Sequence, residues 1–251
     1  MVLHPQQNAL STPVTLRNCP WFWKDRGSRV EGWLRNSLAA VCLAGATLLT
    51  GASAAAPAPP QKLMYTVHHS RYGTIGTYTN TIVQDGNETS VSTEIRIAVS
   101  FLGITAFRQE ASREERWRDG RLVYFHGVTS TNGKPIELSG TADGDRFVLM
   151  TPEGETVAPA NVRLANPWSS GILAGNSMLT PDRGRLDDVR VSGGEYAPMD
   201  VDGRQVRAKK YDVYLLDGRK KYEVDLDDHG TPVQFVVFNP DGAAITFSLA
   251  G

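Results

Sequence analysis

The chain has 251 residues, 26 Lys and Arg against 27 Asp and Glu, 41% hydrophobic residues and two cysteines. A net charge of −1 supplies no basic surface for nucleic acid, and two cysteines cannot staple a small disulfide-rich fold. A domain of this size can be held by a hydrophobic core alone.

Residues 1–29, with Pro13, Pro20 and the cluster Trp21-Phe22-Trp23, read as a leader, with Val30 as an alternative start and a cytoplasmic extension as the other reading. From Leu34 an apolar run follows a cationic residue and ends in Ala52-Ser53-Ala54, which predicts a secretory signal over 30–54, cleaved after Ala54. The run is too short to favour a membrane-anchoring helix. Cys19 and Cys42 both lie in this removable part, and Ala39-Ala40-Val41 is a poor lipid-attachment signal. The expected product is an exported, periplasmic or extracellular monomer with no transmembrane span. Loss of five basic and two acidic residues takes its net charge to −4.

Residues 55–62, with Pro57, Pro59 and Pro60, form an extended linker, and one domain is expected over 63–251. Strands are predicted at 63–70 and 74–83, then at 91–101, where Val91, Ile95, Ile97 and Val99 share one face. The charged segment 104–118 fits a helix by composition. A strand is preferred, because the segment runs into Asp119-Gly120 and Trp117 needs a partner across that turn. Asp119-Gly120 and Asn132-Gly133 bracket a β-branched and aromatic run, the strongest local hairpin signal. The meander continues over 135–141 and 146–150.

Alternation then stops. Residues 159–185 group Trp168, Ile172, Leu173, Met178 and Leu179, which predicts one short helix across the sheet or the mouth of a barrel. Further strands are expected at 188–192, 196–201, 205–216, 220–226, 233–238 and 243–249. A change of parity between Ala208 and Tyr211 predicts a β-bulge near Lys209-Lys210. The fold class is therefore mainly all-β: an antiparallel meander of some eleven or twelve strands forming a closed or half-open barrel.

Gly73-Thr74-Ile75-Gly76, Trp117 to Val123, Thr129 to Gly133, Asn166-Pro167-Trp168 and Asp241 to Leu249 follow in an order that resembles a bacterial family of exported proteins catalogued as a domain of unknown function. The resemblance covers roughly residues 63–250 and is carried by turn and core positions. It departs at Asp225-Leu226-Asp227, where the family pattern implies Trp-Tyr-Asp, so an aromatic surface there is not expected. Helix-covered open barrels also occur in periplasmic lipid carriers, an architectural analogy only.

The residues give no catalytic set. His68 and His69 point to opposite faces of a strand, and His126 and His229 are isolated, so no metal site is expected. Asp225, Asp227, His229 and Gly230 begin like a calcium loop, but position twelve is Val236, and a polar turn explains them. Glu110, Glu114 and Glu115 could supply acid/base pairs, yet with Arg113 and Arg116 they read as a solvated ion-pair ladder. Ser169 and Ser170 have no histidine nearby in sequence and no G-x-S-x-G elbow.

What remains is an apolar or amphipathic envelope ligand, such as a lipid, bound by Trp168, Ile172, Leu173, Met178, Leu179, Trp117 and Tyr124 without a cofactor. The alternatives are a filled barrel acting as an envelope scaffold on a protein partner, and a hydrolase acting on envelope glycan or lipid.

Overall fold

The computed structural model describes residues 59–251 except 102, 103, 202 and 240. The leader, the secretory signal and most of the linker lie outside the described residues. From Gln61 the chain forms β1 (Gln61–His69), β2 (Gly73–Asp85), β3 (Glu88–Phe101), β4 (Ile104–Arg118), β5 (Arg121–Thr131), β6 (Lys134–Asp143), β7 (Arg146–Thr151) and β8 (Gly154–Pro159). A crossing segment then carries the two-residue β9 (Arg163–Leu164), a 3-10 turn at Ser170–Leu173, and β10 (Ser177–Leu179). The remainder is β11 (Leu186–Val201), β12 (Arg204–Leu215), β13 (Lys220–Leu226), β14 (Pro232–Phe238) and β15 (Ala244–Leu249).

These strands make one sheet in the order β8-β7-β6-β5-β4-β3-β2-β1-β15-β14-β13-β12-β11-β10-β9. Two meanders therefore meet where β1 pairs antiparallel with β15, and only β9 and β10 run parallel. The two edges, β8 and β9, are not paired with each other, so the sheet is not a closed barrel. Laid flat, fifteen strands at about 4.8 Å spacing could not share one core. Yet Leu63 of β1, Ala158 of β8 and Leu164 of β9 belong to a single buried cluster, so the sheet curls around it. The half-open alternative holds, with fifteen strands in place of eleven or twelve. Of the additional strands, β9 and β10 are too short to show alternation and β8 buries only Ala158, while the segments expected at 188–192 and 196–201 are one long strand.

The hairpin signals act as their chemistry dictates. Asp119 (φ 50°) with Gly120 (φ 72°), and Asn132 (φ 51°) with Gly133 (φ 79°), place two successive residues in the left-handed region, as a two-residue turn matching strand twist requires. The segment 104–118 is a strand, paired with β3 from Ile104 to Arg118. The expected helix is instead one 3-10 turn, capped by the Ser169 hydroxyl and ended at Ala174, whose backbone is already extended.

The bulge expected on β12 lies on its partner. Gly193 pairs with Tyr211 and Glu195 with Lys210, which leaves Gly194 of β11 as the extra residue. In β12 itself the parity change marks a transfer between two cores: Ala208 packs in a small cluster with Val201 and Val233, whereas Val213 belongs to the main one.

Candidate functional site

The crossing segment is held inside the curled sheet by its centre, Asn166-Pro167-Trp168. Pro167 biases Asn166 toward extended backbone, which lets its amide reach outward to several strands. Asn166 is 1% exposed. Its Nδ2 donates to Thr93 Oγ1 at 3.0 Å and to Glu115 Oε1, and its Oδ1 accepts from the Tyr78 hydroxyl at 2.7 Å. Thr93 in turn donates to Asn80 Oδ1 at 2.7 Å, and Asn80 Nδ2 donates to the Pro167 carbonyl at 3.2 Å. The Tyr65 hydroxyl lies 3.0 Å from that same carbonyl and 2.9 Å from the carbonyl of Pro232. Burial raises the pKa of both tyrosines, so each stays a neutral donor.

Glu115 closes the network from β4. Its Oε2 accepts the indole N–H of Trp117 at 2.8 Å and that of Trp168 at 3.2 Å. Desolvation pushes its pKa up, opposed by the hydrogen bonds from Asn166, Trp117 and Trp168 and by the charge of Arg113. The carboxyl is 1% exposed and Arg113 is 6% exposed. The expected ion-pair ladder is therefore wrong for these two residues; Glu110 is exposed as expected but pairs with Arg108, 2.6 Å away. The signal was present in the parity of β4. Arg113 and Glu115 alternate in step with Ala111 and Trp117, so they share the inner face, and charge type masked that register.

Of the seven ligand residues expected from sequence, the fold brings most together. Trp117 and Trp168 lie with ring centroids 5.9 Å apart. Ile172, Met178 and Leu179 are buried in the main core, and Leu173 packs against it half-buried. Tyr124 stands apart: it pairs with Arg116 on the face opposite the buried Phe125, and its ring lies 4.9 Å beneath the Arg116 guanidinium. The space under the crossing segment is thus largely filled by the segment's own side chains.

Open volume occurs elsewhere. A cleft of about 990 Å³ lies where the sheet fails to close, between the β7–β8 hairpin and residues 182–186. Phe107, Ile136 and Leu186 contribute apolar wall, Gln109, Thr129 and Thr131 contribute polar wall, and Lys134, Glu153, Glu155, Arg183 and Arg185 add exposed charges of both signs. A second pocket, of about 200 Å³, lies beside Trp117 and Trp168.

Among the described residues no three His, Cys, Asp or Glu side chains cluster as a metal site. His69 is engaged locally, its Nδ1 accepting from the Arg71 amide at 3.0 Å. Asp227 caps its own turn, accepting from the backbone N–H of His229 (2.9 Å) and Thr231 (2.8 Å).

The second buried carboxylate, Asp225, is 1% exposed and its Oδ2 lacks a partner among the described residues. Burial, together with repulsion from Glu223, raises its pKa to about 6. A carboxyl raised in the folded state contributes stability that is complete below its unfolded value and is lost as pH rises through the folded one. Stability should therefore fall by about 2 kcal/mol between pH 4 and pH 7 through this group. In Asp225→Asn that slope should vanish, giving a variant more stable than the parent at pH 7 and no better at pH 4. Urea midpoints at the two pH values test this, and an unchanged slope in the variant would exclude Asp225 as its source.

A family model described as a domain of unknown function (DUF6134) matches residues 65–250. No curated protein matches the chain. The fold is similar to the crystal structure of a beta-barrel-like protein of domain of unknown function DUF1849 from Brucella abortus, with TM-score 0.56 and 11% identity, covering 76% of this chain and 95% of that one. That likeness concerns the fold alone. A domain assigned to outer membrane lipoprotein sorting, from Vibrio parahaemolyticus, is 10% identical over 76% of this chain and 83% of its own, at a TM-score of 0.21, too low to mark a shared fold.

Proposed function

We propose that this chain, which belongs to the DUF6134 family of domains of unknown function, is an exported, non-enzymatic protein that binds an amphipathic cell-envelope ligand such as a lipid. The observation that carries this reading is the 990 Å³ cleft at the open seam. Its size suits a lipid-scale molecule, and half-buried Phe107 and Leu186 lie among exposed Lys134, Arg183 and Arg185, a distribution that matches an apolar chain with a polar head. Export is read from the 30–54 signal. The site differs from that expected beneath the crossing segment, because Met178 and Leu179 are core there and the pocket left beside Trp168, about 200 Å³, is too small for a lipid. The same filling favours a second reading, a scaffold that acts through its surface.

Native mass spectrometry of the protein purified from the envelope, followed by organic extraction, separates the two. A stoichiometric apolar adduct is expected. Ile136→Asp should weaken its binding by about 10- to 100-fold, the worth of one buried aliphatic contact. Ile136 is 37% exposed, so the variant should fold. A clean apo mass would set aside the ligand reading and leave the scaffold.

A further inference from the structure

The pocket beside Trp168 differs in chemistry from the seam cleft. Its walls include Trp117, Leu164, Trp168 and Ile172, and Arg163 is the one charged residue among those described that line it. Both indole N–H groups are committed to Glu115 behind the wall, which fixes the two rings. The Arg163 guanidinium lies 5.4 Å over the Trp117 ring. It donates from Nε to the Ala174 carbonyl at 3.0 Å and from Nη1 to the Gly120 carbonyl. Both partners are neutral. No carboxylate pairs with it among the described residues, and its Nη2 donors are unused. Half-burial costs this cation solvation, which pulls its pKa down, with no acidic neighbour opposing the effect.

A guanidinium held in fixed geometry by backbone carbonyls, without a counter-ion, in a compact and mostly apolar pocket, is a receptor for an anion. We propose that this pocket is a second binding site, for a small organic carboxylate whose ring or compact apolar body sits against Trp168 and Ile172 and whose carboxylate meets Arg163 Nη2. A volume of about 200 Å³ corresponds to roughly seven waters, enough for one ring and its carboxylate but not for an acyl chain. The site is independent of the seam cleft and stands or falls separately.

The test is calorimetric titration of the full chain with benzoate, with its neutral isostere benzamide, and with inorganic phosphate. Benzoate is expected to bind at least about tenfold more tightly than benzamide, the worth of one charge-assisted contact. Arg163→Gln should bring the two to parity. In the unsubstituted protein, benzoate should also shift indole proton resonances that disappear in Trp168→Phe. Equal binding of benzoate and benzamide, or binding that leaves the Trp168 resonances unmoved, would overturn the proposal. Phosphate binding as tightly as benzoate would overturn the requirement for a ring.

Discussion

Glu115→Ala is expected to lower the melting temperature by about 12 °C. The carboxylate is the common acceptor for Asn166, Trp117 and Trp168, three donors from two separate parts of the chain. Removing it leaves all three without their acceptor in a buried site and deprives Arg113 of the buried acidic group that shares its face of β4. Loss of one partner in a buried charged network costs about 4 kcal/mol, and a domain near 200 residues moves by about 2–4 °C per kcal/mol. Glu115→Gln should cost less, because shape and one acceptor survive, but its amide N–H₂ must face groups that are themselves donors. Since burial raises the Glu115 pKa, its contribution is complete below the ordinary carboxylate range and is lost as pH rises through the raised value. The deficit of the Gln variant should therefore narrow as pH increases from about 4. Thermal melts followed by circular dichroism decide the matter. A Glu115→Ala protein melting within about 2 °C of its parent would mean that the crossing segment is held by apolar packing, with the polar network incidental.

The contrast between β4 and the crossing segment shows what the residues reveal unaided. On β4, the turns Asp119-Gly120 and Asn132-Gly133 selected a strand over the helix that composition also allowed, because turn chemistry is local. The inner position of Glu115 was equally local in parity, but a carboxylate is assigned to water unless its partners are known. Those partners, Asn166 and Trp168, lie 51 and 53 residues away. The seam cleft was not legible at all. Phe107 of β4 and Leu186 at the start of β11 line one cleft only because the sheet curls without closing, a property of the whole sheet that no short window encodes. Likewise, Asn166-Pro167-Trp168 stood out as a motif, yet its role as the anchor of an internal segment depends on Tyr65, Tyr78 and Asn80 from the other end of the chain.

Gly76→Ala should be about as destabilising as the loss of Glu115, by a different route. In sequence Gly73-Thr74-Ile75-Gly76 looks like one turn, but its two glycines have separate functions. Gly73, at φ 72°, opens β2 in a left-handed conformation, whereas Gly76 lies within the strand, next to an irregularity where Val67 pairs with Gly76 and His68 with Thr74. There the β3 backbone approaches so closely that a Cβ on Gly76 would lie 2.0 Å from the Arg96 carbonyl oxygen and 2.9 Å from Ile97 Cα. Both are backbone atoms in a paired strand, so no rotamer change relieves the clash and β3 must move away from β2. Tyr78 and Asn80 follow Gly76 on the same face and hold Asn166 and Pro167, so the displacement would reach the internal anchor. A cost of about 3 kcal/mol follows, at the upper end of the range for overpacked interiors. Gly86→Ala provides the control: φ is 59° there but nothing lies within 4 Å, so only backbone strain of about 1 kcal/mol is expected. Urea midpoints should separate the two variants by at least a factor of two in lost stability, and hydrogen exchange at the Trp168 amide should quicken in Gly76→Ala alone. Equal losses would show that β3 tolerates displacement at this point and that the close approach has no part in placing the anchor.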